Sequence, residues 1–144
     1  MMQQKTGFYI LITLSFIVPL SCTRDSDEKL LNNSVNELVT AIEERSEQEI
    51  KNYLSDDFSV VKRFNKEQFF FFVRYHLKRN KNISINILNK EIKLNKSNAD
   101  VTANVLLLGA DNWLPTRGQK YYVESRWIKQ DGDWVMSRLR WTVK

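Results

Sequence analysis

The apolar residues of this chain change their spacing once, close to Asn80, and that change limits the folds open to it. Before it, Leu31, Val35, Leu38, Val39 and Ile42 recur three or four positions apart, which gathers them on one face of a helix. After it, Ile83, Ile85 and Ile87 alternate with polar residues, as do Val101, Ala103, Val105 and Leu107, the spacing of strands that bury one side. Helices followed by a run of strands define an α+β class, with the helices packed against one antiparallel sheet.

The element boundaries follow from local chemistry. Arg24 to Glu28 reads as a short charged tether, after which Ser26 or Asp27 can cap the first helix. Ser46 and Glu49 have capping-box spacing and open a short second helix that turns Ile50, Tyr53 and Leu54 inward. Phe58 to Val61 suits a brief strand. Lys66 to Arg79 forms a third helix whose run Phe69 to Val73 is apolar on most sides, so it is expected to lie buried between layers. Lys78, Arg79 and Lys81 crowd its C-terminal end, where the helix dipole favours cations. Glu91 to Leu94 continues the first long strand, and Asn95 to Asn98 is a turn. After a loop with Gly109, Leu114-Pro115 and Gly118, two strands, Lys120–Lys129 and Trp134–Val143, flank Asp131-Gly132, a strong two-residue hairpin signal.

The N-terminus is of another kind. Lys5 precedes an uncharged apolar run of 14 residues, Gly7 to Leu20. That is short of the roughly 20 needed to span a bilayer but suits the core of a signal peptide. Leu20-Ser21-Cys22 resembles a lipobox, from which Pro19 departs, because leucine usually stands there. The resemblance implies cleavage before Cys22, lipidation of its thiol and stable membrane attachment by two or three acyl chains. Thr23 in place of aspartate then implies the outer membrane, facing the periplasm. The expected organisation is a signal peptide over 1–21, an acylated tether over 22–27 and one domain over 28–144. A domain of that size buries roughly two-thirds of its unfolded surface, and a single cysteine excludes an internal disulfide framework.

Charge is unevenly spread. Arg24 to Asp57 holds ten acidic and four basic residues, whereas the chain from Phe58 onward holds seven and seventeen. An exported basic surface points to anionic headgroups or an acidic partner rather than nucleic acid.

Three segments together resemble the NTF2-like superfamily, which includes nuclear transport factor 2, ketosteroid isomerase and SnoaL-type enzymes: LVTAIEERSEQEIKNYLSDDF, the helix opening NKEQF, and WIKQDGDWVMSRLRW. The resemblance covers about Asp27 to Val143. It implies a cone: three N-terminal helices on a curved antiparallel sheet of about four long strands. Carried over residue by residue, the isomerase tyrosine falls on Leu38, its base on Lys62, its protonated carboxyl donor on Glu124 and a pocket-wall tryptophan on Trp141. Leucine offers no donor and lysine is no carboxylate base, so that chemistry is not expected. The superfamily's dehydratases use histidine and aspartate, and the chain's single histidine is His76.

Counting outward from Asp131-Gly132 pairs Ile128 with Val135, Arg126 with Ser137, Glu124 with Leu139 and Tyr122 with Trp141. The resemblance turns this face inward. The candidate pocket is then Tyr122, Glu124, Arg126, Leu139 and Trp141. Glu124 and Arg126, about 7 Å apart along one strand, either grasp a ligand or form a structural ion pair. The opposite face carries Tyr121, Trp127, Trp134, Met136, Arg138 and Arg140. It is richer in aromatics and arginine than a water-facing sheet should be, and is expected to form a homodimer or dock an envelope partner. Asp56-Asp57, His76 and Asp111-Asn112-Trp113 suit ordinary turn and helix roles. No zinc pattern, phosphate loop or dinucleotide fingerprint occurs, and no metal or cofactor is expected. The sequence thus points to a non-catalytic binding or assembly module that holds a protein or a small apolar ligand. The alternative is a lyase- or isomerase-like enzyme using the cone, with Glu124 and Tyr122 as polar groups.

Overall fold

A computed structural model describes residues 22–111, 114–115 and 118–144. The leader, the lipobox residues before Cys22 and the loop tip at Asn112-Trp113 lie outside the described residues. Helices α1 (Cys22–Glu43), α2 (Glu47–Asn52) and α3 (Lys66–Arg79) accompany strands β1 (Leu54–Val60), β2 (Phe64–Asn65), β3 (Asn82–Leu94), β4 (Asn98–Asp111), β5 (Leu114–Pro115), β6 (Gln119–Gln130) and β7 (Asp133–Val143). The order across the sheet is β2-β1-β7-β6-β4-β3, with β5 attached to β4.

The four long strands pair antiparallel as expected, but β1 runs parallel to β7, so the sheet is mixed. This pairing joins segments more than seventy residues apart, Leu54 to Met136 and Val60 to Leu139, and no local pattern announces it. Among the described helices none is long and apolar enough to cross a membrane.

The chain is already helical at Cys22, so Ser26 and Asp27 lie inside α1 rather than capping it. Asp27 instead anchors the helix to the sheet through Lys129, whose ammonium donates at 2.6 Å. The predicted stripe is buried at Leu31, Val35 and Leu38 and continues to Ala41. The helix ends with Arg45 at φ 62. Ser46 N–H then reaches back to the Ala41 carbonyl at 2.9 Å, the backbone closure of a Schellman turn. That bond explains a second departure. Ser46 makes no side-chain cap, and its N–H, which Glu49 would accept in a capping box, is already committed. The capping box belongs to α3, where Asn65 accepts from Gln68 N–H at 2.9 Å and Gln68 accepts from Asn65 N–H at 3.1 Å.

Helix α3 has the predicted bounds but not the predicted burial. Phe70 and Leu77 are in the core, while Phe71 is 71% exposed and Tyr75 54%. It packs on β1 and β2 at one flank and is not enclosed between layers; its outer side meets water.

Among the described residues, β-bulges in two of the antiparallel pairs bend the sheet. In β3 the pairing slips between Ile87 and Asn89, leaving Leu88 unpaired and 54% exposed. Asn89 stitches the slip by accepting from Asn104 N–H at 3.1 Å and from its side-chain amide at 2.7 Å. In β7 the slip falls at Ser137, whose hydroxyl donates to the Arg126 carbonyl at 3.2 Å. Bulges raise local twist and re-aim every residue beyond them. The Asp131-Gly132 turn forms as expected, with φ 53 and 92, both in the left-handed region of a type I′ turn.

Candidate functional site

The bulge at Ser137 decides which side chains face the helices. Ile128 opposes Val135 as counted. Beyond the bulge Arg126 opposes Arg138, Glu124 opposes Arg140 and Tyr122 opposes Thr142, each one residue further than plain counting gives. Leu139 and Trp141 therefore share a side with Ser125 and Val123, not with Glu124 and Tyr122.

The inward side is fixed by burial. Trp127 (1% exposed), Trp134 (2%) and Met136 (6%) form one core cluster with Leu31, Val35, Leu38 and Ala41 of α1. This reverses the sequence expectation. Of the candidate interface, Tyr121, Trp127, Trp134 and Met136 lie on the helix-facing side, and only Arg138 and Arg140 point outward. Of the candidate pocket, only Leu139 and Trp141 face the helices. The aromatic richness that suggested a docking surface is the core itself.

The outer face is a ladder of exposed ion pairs. Arg140 Nε donates to Glu124 at 2.6 Å, and Arg126 binds Asp100 through two bonds of 2.8 and 3.2 Å. Glu124 is thus the partner of Arg140 and not of Arg126. Pairs this exposed are screened by water and add little to stability.

The concave side is apolar. From the β3 edge inward it presents Ile83, Ile85 and Ile87, then Val105 and Leu107, then Tyr121 and Val123, all half-buried. Leu139 and Trp141 complete it on β7. Side chains of α3 and β2 close one flank: Phe72 stacks on Trp141 at 6.0 Å and on Phe64 at 5.4 Å, and Phe69 tilts against Phe58 at 5.0 Å. Arg63 lies over Trp141, 5.1 Å from its ring centre, and the exposed His76 sits 4.4 Å from Phe72. Deeper in, the Trp127 indole donates to Ser125 at 2.9 Å, and the Ser125 hydroxyl donates to Val101 O at 3.3 Å.

The other singled-out residues take structural places. Leu38 is a buried core residue, and Lys62 occupies the turn after β1 with φ 58. Asp56 pairs with Lys66 at 3.6 Å and accepts from Gln130 at 3.4 Å. Among the described residues no three His, Cys, Asp or Glu side chains gather into a metal-binding group. Of Cys22 the backbone helix is described and nothing further.

One cluster escaped sequence reasoning. A cavity of about 220 Å³ opens between α1, α2 and β7, lined by Ser34, Glu37, Asn52, Tyr53 and Asp133 beside Trp134 and Val135. Tyr53 donates to Glu37 at 2.8 Å, and burial together with that bond pushes its phenol up to about 12. A tyrosine predicted to turn inward sixteen positions from a helical glutamate was the available signal. A shallower hollow of about 380 Å³ lies by Glu28, Lys29, Asn32 and Ile92.

No family model and no curated protein matches the sequence. Solved structures do. A protein of the NTF2-like family from Streptomyces avermitilis superposes with a TM-score of 0.75 at 11% identity, over 84% of this chain and 98% of that one. Hexachlorocyclohexane dehydrochlorinase LinA-type3 from Novosphingobium barchaimii gives 0.70 at 15% identity, over 86% and 90%. Bd1075 of Bdellovibrio bacteriovorus gives 0.75 at 12% identity, over 88% of this chain, which spans 45% of Bd1075. The chain has the NTF2-like fold. At these identities the likeness establishes architecture, and activity has to be argued from the side chains.

Proposed function

We propose that this protein is a lipid-anchored component of the bacterial cell envelope, attached through Cys22 to the outer membrane, whose domain is a non-catalytic binding module for a small apolar ligand. The compartment rests on the leader chemistry, with Lys5, the apolar run to Leu20 and Ser21-Cys22-Thr23 in series. The binding role rests on one observation: the helix-facing side of the sheet carries half-buried aliphatic and aromatic side chains from Ile83 to Trp141, while Glu124 and Arg126 bind other partners on the far side. Such a wall matches an apolar guest and offers few groups to polarise one. A homodimer or an envelope partner would meet the outer face at Arg138 and Arg140, without the tryptophans. The enzymatic alternative draws on the dehydrochlorinase among the structural neighbours; with Glu124 turned away, the exposed His76 beside Phe72 is the residue it would use.

Two measurements test this. Mass spectrometry of the protein from its native envelope should find Cys22 as the first residue, carrying diacylglycerol; an intact precursor with a free thiol would end the lipoprotein reading. Titration of residues 22–144 with the apolar dye N-phenyl-1-naphthylamine should saturate at one site, and Leu107→Gln should weaken it. A dye response that never saturates, or one that Leu107→Gln leaves untouched, would end the ligand reading.

A further inference from the structure

The outer face of α3 is unlike the rest of the surface. Phe71 and Tyr75 stand one helical turn apart, 71% and 54% exposed, and are two of the five large hydrophobic side chains most open to water among the described residues. Arg74, Lys78 and Arg79 lie exposed around them, with Lys81 just beyond the helix. The guanidinium of Arg79 rests over the Tyr75 ring at 5.4 Å. On the α2 side, Lys51 lies over the Phe70 ring at 5.0 Å.

The charge balance of this face is one-sided. Arg74 is neutralised by Glu47 at 2.8 Å. Among the described side chains no carboxylate lies within 4.0 Å of Lys78 or Arg79, and Glu67, at the far end of the helix, is the nearest acid on that face along the sequence; Lys81 precedes Asn82, whose strand partner Ala110 adjoins Asp111. Exposed aromatic rings ringed by cations, on a helix whose opposite side is held in a protein core, have the composition of an interfacial helix. The rings enter the headgroup boundary, and the cations meet phosphate. Water is a poor partner for Phe71, and the positive charge of Lys78 and Arg79 beside it is complementary to lipid phosphate.

We propose that this face of α3 lies on an anionic lipid surface. The contact is a property of the helix face and does not depend on acylation of Cys22. It would set which side of the domain faces the bilayer and leave the outer face of the sheet exposed on the other side.

The test uses residues 22–144 with Cys22→Ser, which carry no acyl chain and contain every described core residue, Leu31 through Met136. The protein is pelleted with vesicles of phosphatidylcholine alone or mixed with phosphatidylglycerol. It should pellet with the mixed vesicles at low salt and be released at high salt. Replacing Lys78, Arg79 and Lys81 by glutamine should lower partitioning about a hundredfold, at roughly fivefold per cation. Phe71→Ser with Tyr75→Ser should lower it about tenfold or more. These positions are exposed, so circular dichroism should not change. The proposal falls if the protein stays in the supernatant with mixed vesicles, if both variants bind as the parent does, or if the parent is a dimer in solution that Phe71→Ser dissolves, which would give the face to a second copy. Because the cysteine is absent throughout, these results are separate from the fate of Cys22.

Discussion

Trp141 stacks on Phe72 at 6.0 Å, tying the last strand of the sheet to the third helix across the cone. The indole is half-buried and carries Arg63 on its ring. Trp141→Ala should therefore cost about 2–3 kcal/mol, less than the full price of a core tryptophan. It should also release Phe72, read as a lower urea midpoint with an unchanged slope.

The side-chain assignment of β6 makes a sharp contrast testable. Trp127 is enclosed and its indole is hydrogen-bonded to Ser125, so Trp127→Ala should cost about 3–5 kcal/mol. Glu124→Ala removes only an exposed partner of Arg140 and should cost less than about 1 kcal/mol. Equal losses in chemical denaturation would mean that the two faces have been exchanged.

Tyr53 gives a dependence on alkaline pH. Its phenol is raised from 10.0 to about 12, first by burial and then by the bond to Glu37. The folded state thus holds the proton more tightly than the unfolded one. The resulting stabilisation is complete below pH 10 and is lost as pH rises through about 12. Thermal midpoints should fall over that window in the parent and fall less in Tyr53→Phe. Absorbance titration should show one late-ionising tyrosine that the variant lacks.

Arg45 closes α1 with φ 62, a conformation that costs a side chain about 1 kcal/mol or slightly more relative to glycine. Arg45→Gly should stabilise the domain by about 0.5–1 kcal/mol, since the Schellman bond from Ser46 to Ala41 uses backbone alone. A lower melting temperature in this variant would show that the arginine side chain holds something the turn needs.

The parts of the fold that depend on local pattern were legible. The bounds of α3, the α1 stripe and the Asp131-Gly132 turn all follow from periodicity or from turn chemistry. The parallel contact of β1 with β7 was not, because it joins distant segments whose pairing is set by packing. The candidate site went astray at the bulge in β7 and in the choice of the inward face. In β7 the inward apolar positions pass from Trp134 and Met136 to Leu139 and Trp141, a change from even to odd numbers that is itself the mark of an extra residue. The same parity change separates Ile83, Ile85 and Ile87 from Ile92 and Leu94 in β3, across Leu88. Counting from the turn at a constant step ignored that mark and so put Leu139 and Trp141 on one side with Glu124; the resemblance then turned that side inward and Trp127 outward.

Ser137 also marks where this segment can change its length. Without it Met136 would be followed directly by Arg138, which already opposes Arg126, and the strand would alternate uniformly with Leu139 and Trp141 still facing the helices. The last strand carries one residue more than its alternation needs, so a one-codon deletion at that position would keep its greasy and its charged sides where they are and give up only the added twist.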